Sequence, residues 1–431
     1  MPLRPPEFLQ SALAPPAAIL GGGISGAGVQ GLLTAIGAEG VIYDAQAAKG
    51  GDFTAAAARR HALVIFSPGF PPEHPWLQRA RAAGALCFGE LDFASLFWRG
   101  RLVAVTGTNG KTTLTEFLTH ALGAIGRNAQ ATGNIGHPFS RLVVEKRGGA
   151  RDMTAVCEVS SFQAETLQHL RAHATLWTNF AEDHLERHPG LESYFGAKWQ
   201  LVARTDAGAV FAGSSVCRQA AKFERSTHGV HQVETEGRPA DPRLARTLFA
   251  TYPQRENFLL AAAWWRESGF DEAALYAAAQ SFKPGPHRLA RVAVREGVTY
   301  WNDSKATNFH AVEAALASFE APVVLIAGGK SKGGDLAGFV HRIASRLKHA
   351  VLIGETSAEL AFHCSMFRVA HTRCADFPEA VRRATELAQA GDHVLLSPGF
   401  ASFDMFRSYE DRGEQFEALV QNLGAPAANF R

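Results

Sequence analysis

The stretch VAVTGTNGKTTLTEFL at residues 103–118 runs from an apolar segment into a glycine loop and then, from Lys111 and Thr112, into an amphipathic helical pattern. A loop in that context aims backbone N–H groups and the positive end of a helix at phosphate, while the lysine neutralises charge and the hydroxyl reaches a magnesium ion. The general pattern for such loops has glycine where Val105 stands, and Gly107 takes its place in a shorter loop. The nucleotide this predicts is ATP, with Gly107, Thr108, Asn109, Gly110, Lys111, Thr112 and Thr113 around its phosphates.

On both sides of this loop the chain repeats the same alternation. AAIL (17–20), VIYD (41–44), ALVIFS (62–67), TAVCEVSS (154–161), ATLWTNF (174–180), AGAVFAG (207–213), VTYWND (298–303), PVVLIAGG (322–329), HAVLIGE (349–355) and HVLLSPG (393–399) are separated by helical stretches. Runs that are apolar on both faces and end in Gly, Ser or Asp read as buried parallel strands. A chain of 431 residues is long for one core. Breaks near 98–101 and at KPGPHR (283–288) predict an α/β protein of three domains. These are a Rossmann-like domain over 1–98, a central P-loop ATPase-type domain with a mainly parallel sheet over 99–285, and a Rossmann-like domain over 286–431.

A formal net charge of +2 gives no excess of positive potential for a nucleic-acid partner. The five cysteines form no C-x-x-C pair, as expected of a reduced cytosolic chain without structural zinc. Prolines at 5, 6, 15 and 16 interrupt any signal-peptide core, and no apolar run approaches the ~18 residues of a membrane span. A cytoplasmic location is the expectation.

A second glycine turn, GGGISGAG at 21–28, satisfies G-x-G-x-x-G through Gly21, Gly23 and Gly26, and Asp44 follows the next strand run. Its physics is diphosphate binding at a helix N-terminus, which fits a nicotinamide cofactor or a UDP-sugar. An NAD-dependent oxidoreductase is therefore one reading, supported by this turn and Asp44 alone.

TGTNGKTT is the form the first loop takes in the Mur ligases, the cytoplasmic enzymes that build the peptide of the bacterial cell-wall precursor, and in the related folylpolyglutamate synthases. The resemblance continues in order through TGNIG (132–136), CEVSSFQAE (157–165), TNFAEDHLERH (178–188), YFGAKWQL (194–201), GPHRLA (285–290), NDSKATN (302–308), AGGKSKGGDL (327–336) and SPGFASFDMFRSYEDRGEQF (397–416). Within that family the chain resembles the member that adds D-glutamate to UDP-N-acetylmuramoyl-L-alanine through an acyl phosphate made with ATP. The resemblance implies catalytic roles for Lys111, Glu158, His184 and Lys198. Two magnesium ions would be held by Thr112, Glu158, His184 and Lys198, the last as a carbamate. Asn257, Arg288 and Asp303 would join the loop at ATP. Ile24, Ser25, Asp44, Ser67, Asn134 and His184 would hold the UDP-sugar, with Ala45 and Gln46 offering the uracil little. Thr307, Lys332, Ser402, Phe403 and Tyr409 would receive glutamate. It further implies a monomer and a hinge near 283–288 that closes over the acyl phosphate.

Three alternatives stand beside this reading. The first is a relative that joins another amino acid, L-glutamate included, or extends folate. The second is the oxidoreductase. The third is a binding subunit with a dead site, which the presence of Lys111, Glu158, His184 and Lys198 disfavours.

Overall fold

A computed structural model describes residues 3–45 and 51–423. Three sheets follow one another along the chain. The first contains β1 (Ala17–Leu20), β2 (Gly40–Tyr43), β3 (Leu63–Phe66) and β4 (Leu86–Gly89), in the order 2-1-3-4 and all parallel. The second contains β5 (Arg101–Thr106), β6 (Ala129–Gly133), β7 (Thr154–Glu158), β8 (Ala174–Trp177), β9 (Val210–Gly213) and β10 (Val230–Val233). Its order is 10-9-8-5-7-6, again all parallel. The third contains β11 (Ala290–Arg295), β12 (Val298–Asn302), β13 (Val323–Gly328), β14 (Leu347–Ile353), β15 (His371–Arg373) and β16 (His393–Leu396). Its order is 11-12-16-13-14-15, with β11 antiparallel to β12 and the other pairs parallel.

Both glycine loops leave strands where the strand order diverges: β1 lies between β2 and β3, and β5 between β7 and β8. In open α/β sheets the crevice beyond such strand ends is where ligands bind. In the third sheet the loops after β12, β16 and β13, three adjacent strands, carry NDSKATN, the SPGF segment and GGKSKGG.

The chain divides into two compact units. One comprises Met1–Phe180, Pro189–Ala250 and Gln254–Phe282; the other comprises Ala181–His188, Thr251–Pro253 and Lys283–Arg431. The division differs from the expected one at two points. By contacts, the first sheet groups with the second, and 181–188 group with the third sheet.

The first difference has a packing cause. One apolar cluster runs from Leu32, Leu33, Phe93 and Phe97 to Leu102, Phe139, Leu142 and Ala155, so the first two sheets share a core. Two buried carboxylates stitch the same junction. Glu90 Oε1 accepts from Ser140 N at 2.7 Å and Ser140 Oγ at 2.6 Å, while Asp92 Oδ1 accepts from His169 N at 2.9 Å and Leu170 N at 2.8 Å. Burial pushes the Glu90 carboxyl above its ordinary range, and the two bonds from Ser140 offset part of that. In the second unit, successive residues of β13 alternate between two cores: Leu325 faces one with Phe339 and Leu352, Val324 and Ile326 the other with Phe377 and Phe416.

Candidate active site

The loop after β5 is built from two left-handed glycines, Gly107 at φ +147° and Gly110 at φ +79°, the second capping the helix Lys111–Ala124. A Cβ on Gly107 would fall 1.9 Å from Thr178 Oγ1, and one on Gly110 would fall 2.6 Å from Asn257 Oδ1. Residues just beyond β8 hold the loop from one side. Thr108 N donates to Asn179 O at 3.0 Å, Asn109 N to Asn179 Oδ1 at 2.9 Å, and Thr178 Oγ1 to Asn109 O at 2.6 Å. Lys111 Nζ curls over its own loop, donating to Thr108 O at 2.8 Å and Gly107 O at 3.1 Å. Asn257 is buried in the first turn of the helix Gln254–Glu267, where it is not a cap; its Nδ2 donates to Gln254 Oε1 at 2.8 Å.

Lys198, in the last turn of the helix Leu191–Trp199, is 1% exposed and donates to Gly107 O at 2.8 Å, with Nζ 4.9 Å from the Tyr194 ring centre. The β5–β7 register sets Val105 opposite Glu158, which brings that buried carboxylate beside the entry to the loop. Glu158 Oε1 accepts from Asn134 Nδ2 at 2.9 Å, whereas Oε2 is buried without a hydrogen-bond partner. A buried carboxylate oxygen left unpartnered next to a phosphate loop suits a bound cation. Among the described residues no three His, Cys, Asp or Glu side chains gather as a metal site. The groups beside the loop whose chemistry suits magnesium are the Glu158 carboxylate and the Thr112 hydroxyl.

At the first sheet, Gly21 is left-handed at φ +94°, Gly23 caps the helix Ile24–Ala35, and a Cβ on Gly26 would meet Gly21 O at 1.9 Å. Strand and helix can approach this closely only through glycine. Asp44 Oδ2 accepts from Gly22 N at 2.7 Å and so braces the turn. Ser67 Oγ lies 2.9 Å from where a Gly21 Cβ would sit, Ser25 is half-buried and Ile24 is exposed. Gln46 lies outside the described residues.

In the second unit Asp183 is the hub. Its Oδ1 accepts from His184 N at 2.9 Å and lies 3.6 Å from Lys332 Nζ, while Oδ2 accepts from Asn308 Nδ2 at 3.0 Å. Lys332 Nζ also donates to Thr307 Oγ1 at 3.4 Å. His184, left-handed at φ +57°, has Nδ1 3.2 Å from Glu186 Oε1. Asp183, His184, Thr307, Asn308 and Lys332 line one cleft, which brings two of the expected glutamate contacts together with His184. Ser402, Phe403 and Tyr409 do not line it. Ser402 is buried at a turn, Phe403 is exposed, and the Tyr409 ring lies 3.8 Å from Lys305 Nζ. Asp183 and Asn308 stand inside motifs quoted above, yet neither is singled out by residue type alone. Asp303 has both oxygens engaged, by Leu289 N at 3.0 Å and Ser397 Oγ at 2.8 Å, and burial pushes its carboxyl up to about 7.

Comparisons with known proteins agree with this layout. The Mur ligase middle domain matches residues 105–248, and the Mur ligase, glutamate ligase domain matches residues 287–400. The UDP-N-acetylmuramoylalanine–D-glutamate ligase of Geobacter metallireducens is 37% identical over 384 residues, 84% of this chain and 83% of that protein. The enzyme of the same name from Salinibacter ruber is 33% identical over 94% of this chain and 98% of its own length. This chain is a Mur ligase. Among solved structures, the UDP-N-acetylmuramate–alanine ligase of Thermotoga maritima superposes with a TM-score of 0.60 at 16% identity, covering 95% of this chain and all of that one, a likeness of fold. As a Mur ligase the protein is an ATP-dependent amide ligase, of a family that uses ATP and Mg2+. The oxidoreductase reading of GGGISGAG gives way to this membership. Among the described residues no helix of the ligase is long and apolar enough to cross a membrane.

Proposed function

We propose that this ligase adds D-glutamate to UDP-N-acetylmuramoyl-L-alanine in peptidoglycan precursor synthesis, as a cytoplasmic monomer. The observation that carries the reading is the 33–37% identity to enzymes of that name over most of both chains. Three domains share the work: 1–98 hold the UDP-sugar, 99–285 hold ATP, and 286–431 receive glutamate.

A carboxylate resists attack by an amine, so it is first phosphorylated. The alanyl carboxylate attacks the γ-phosphorus, ADP leaves, and the acyl phosphate is opened by the glutamate amine with loss of phosphate. Positioning and charge stabilisation dominate such transfers. The loop N–H groups and Lys111 hold the phosphates, with Asn257, Arg288 and Asp303 as further nucleotide contacts. Magnesium, when bound, would neutralise the charge that builds on the phosphate oxygens. Glu158 and Thr112 would hold it, with Asn134 fixing the Glu158 carboxylate, and Lys198 as a carbamate and His184 would help to hold a second ion. Ile24, Ser25, Asp44 and Ser67 contact the UDP end; Thr307 and Lys332, with Ser402, Phe403 and Tyr409, take the glutamate carboxylates.

The test is product mass after incubation with ATP, Mg2+, UDP-N-acetylmuramoyl-L-alanine and either D- or L-glutamate. One glutamyl addition with the D-isomer alone is expected; no gain with D-glutamate defeats the assignment.

A further inference from the structure

The segment GPHRLA at 285–290 adopts a backbone that side chains resist. His287 and Leu289 take φ of +62° and +48°, so Arg288 sits between two left-handed residues that are not glycine. That region is disfavoured for L side chains, and residues persist there only where their surroundings over-determine them.

Those surroundings are present. His287 is 4% exposed, and its Nδ1 lies 2.8 Å from Asn302 Nδ2, an amide that also donates to Glu417 Oε1 at 2.7 Å. Gly413 leaves room for the ring, since a Cβ there would come within 2.3 Å of His287 Nδ1. The His287 carbonyl accepts from Lys305 N at 3.1 Å, and Leu289 N donates to Asp303 Oδ1 at 3.0 Å. All of these bonds engage the residues that flank Arg288. Among the described residues the half-buried Arg288 guanidinium makes no hydrogen bond of its own. A costly backbone is thus clamped on both sides of a cation whose charge acts on the nearby Asp303 carboxyl but whose hydrogen-bonding capacity is not used within the described residues.

We infer that His287, clamped by Asn302, is a positioning residue for Arg288, holding the left-handed backbone that presents the guanidinium to the phosphates of ATP. This rests on the reading of Arg288 as a nucleotide contact. His287 touches no substrate; its influence passes through Arg288.

A double-mutant cycle tests this, with initial rates measured against ATP and against glutamate for His287→Asn, Arg288→Ala and the pair. Asparagine tolerates the left-handed backbone but is too short to replace the buried ring. Each single variant is expected to raise the KM for ATP roughly tenfold with the KM for glutamate within about twofold, and the pair to be no worse than Arg288→Ala. Multiplicative effects, the signature of independent residues, would overturn the inference alone. An unchanged KM for ATP in Arg288→Ala would remove the nucleotide reading of that residue, and the inference with it. Should His287→Asn not fold, Gly413→Ala displaces the same ring from within a helix, where alanine is favoured, and takes its place in the cycle with the same expected and overturning results.

Discussion

At Lys198 an ammonium group lies almost wholly out of water against the Gly107 carbonyl. Addition of CO2 to its amine would convert a cation into an oxygen ligand of the kind magnesium prefers. Lys198→Ala is predicted to lower turnover by on the order of 10³ or more while leaving the fold intact, read by product formation and circular dichroism. Near-normal turnover in the folded variant would sink the metal-bridging role. Glu256 makes a different demand. It is 3% exposed, and burial, with repulsion from Glu236, pushes its carboxyl up to about 7 against partial relief from Thr235 and Arg218. Between about pH 4.5 and 7 the folded state keeps a proton that the unfolded chain has lost, so this group's contribution to stability falls as pH rises, by ~1.4 kcal/mol per unit at most. Glu256→Gln should therefore match the parent melting temperature near pH 4.5 and exceed it at pH 8. An equal difference at both values would refute the assignment. Of the proposed functional residues, Lys111, Glu158, His184 and Lys198 are legible because contiguous motifs carry them. Asp183 and His287 are not, because what distinguishes them is a tertiary neighbour or a backbone angle.

Among elements, the strands that apolar runs predict are those with neighbours on both sides, together with β2. The unpredicted strands, β4, β6, β10, β11 and β15, are all sheet edges. An edge strand in these sheets is half-wetted: Val230–Val233 and Ala290–Arg295 contain no buried residue, whereas Leu63–Phe66 and Thr154–Glu158 are buried throughout. Polar residues are therefore tolerated there, and the run that marks a buried parallel strand disappears. The glycine turns show the opposite case, where a short pattern specifies geometry closely. Gly26→Ala would force its Cβ against Gly21 O and push the helix Ile24–Ala35 from β1. A loss of about 1–3 kcal/mol is predicted, seen as a lower urea midpoint at unchanged slope, with a raised KM for the UDP-sugar and an unaltered KM for ATP. A parent-like midpoint would show that the turn yields more readily than its geometry indicates.

Across the whole molecule, the order of three α/β regions is legible from the motifs, but the grouping of segments is not. Residues 181–188 fall within the expected central domain, 99–285, yet their contacts group them with the third sheet. No local pattern marks that choice, which is made by partners more than a hundred residues away, such as Asn308 and Lys332. The reverse holds at the first junction, where a composition break near residue 98 suggests separation and a continuous core joins the two sides.

That joint core limits how such ligases can be recombined. A first sheet transplanted from a relative would leave Phe139 and Leu142 facing a foreign surface, and Ser140 without the carboxylate of Glu90. The folding unit around the first sheet is therefore larger than residues 1–98, and a working chimera must bring the helix Phe139–Glu145 with it.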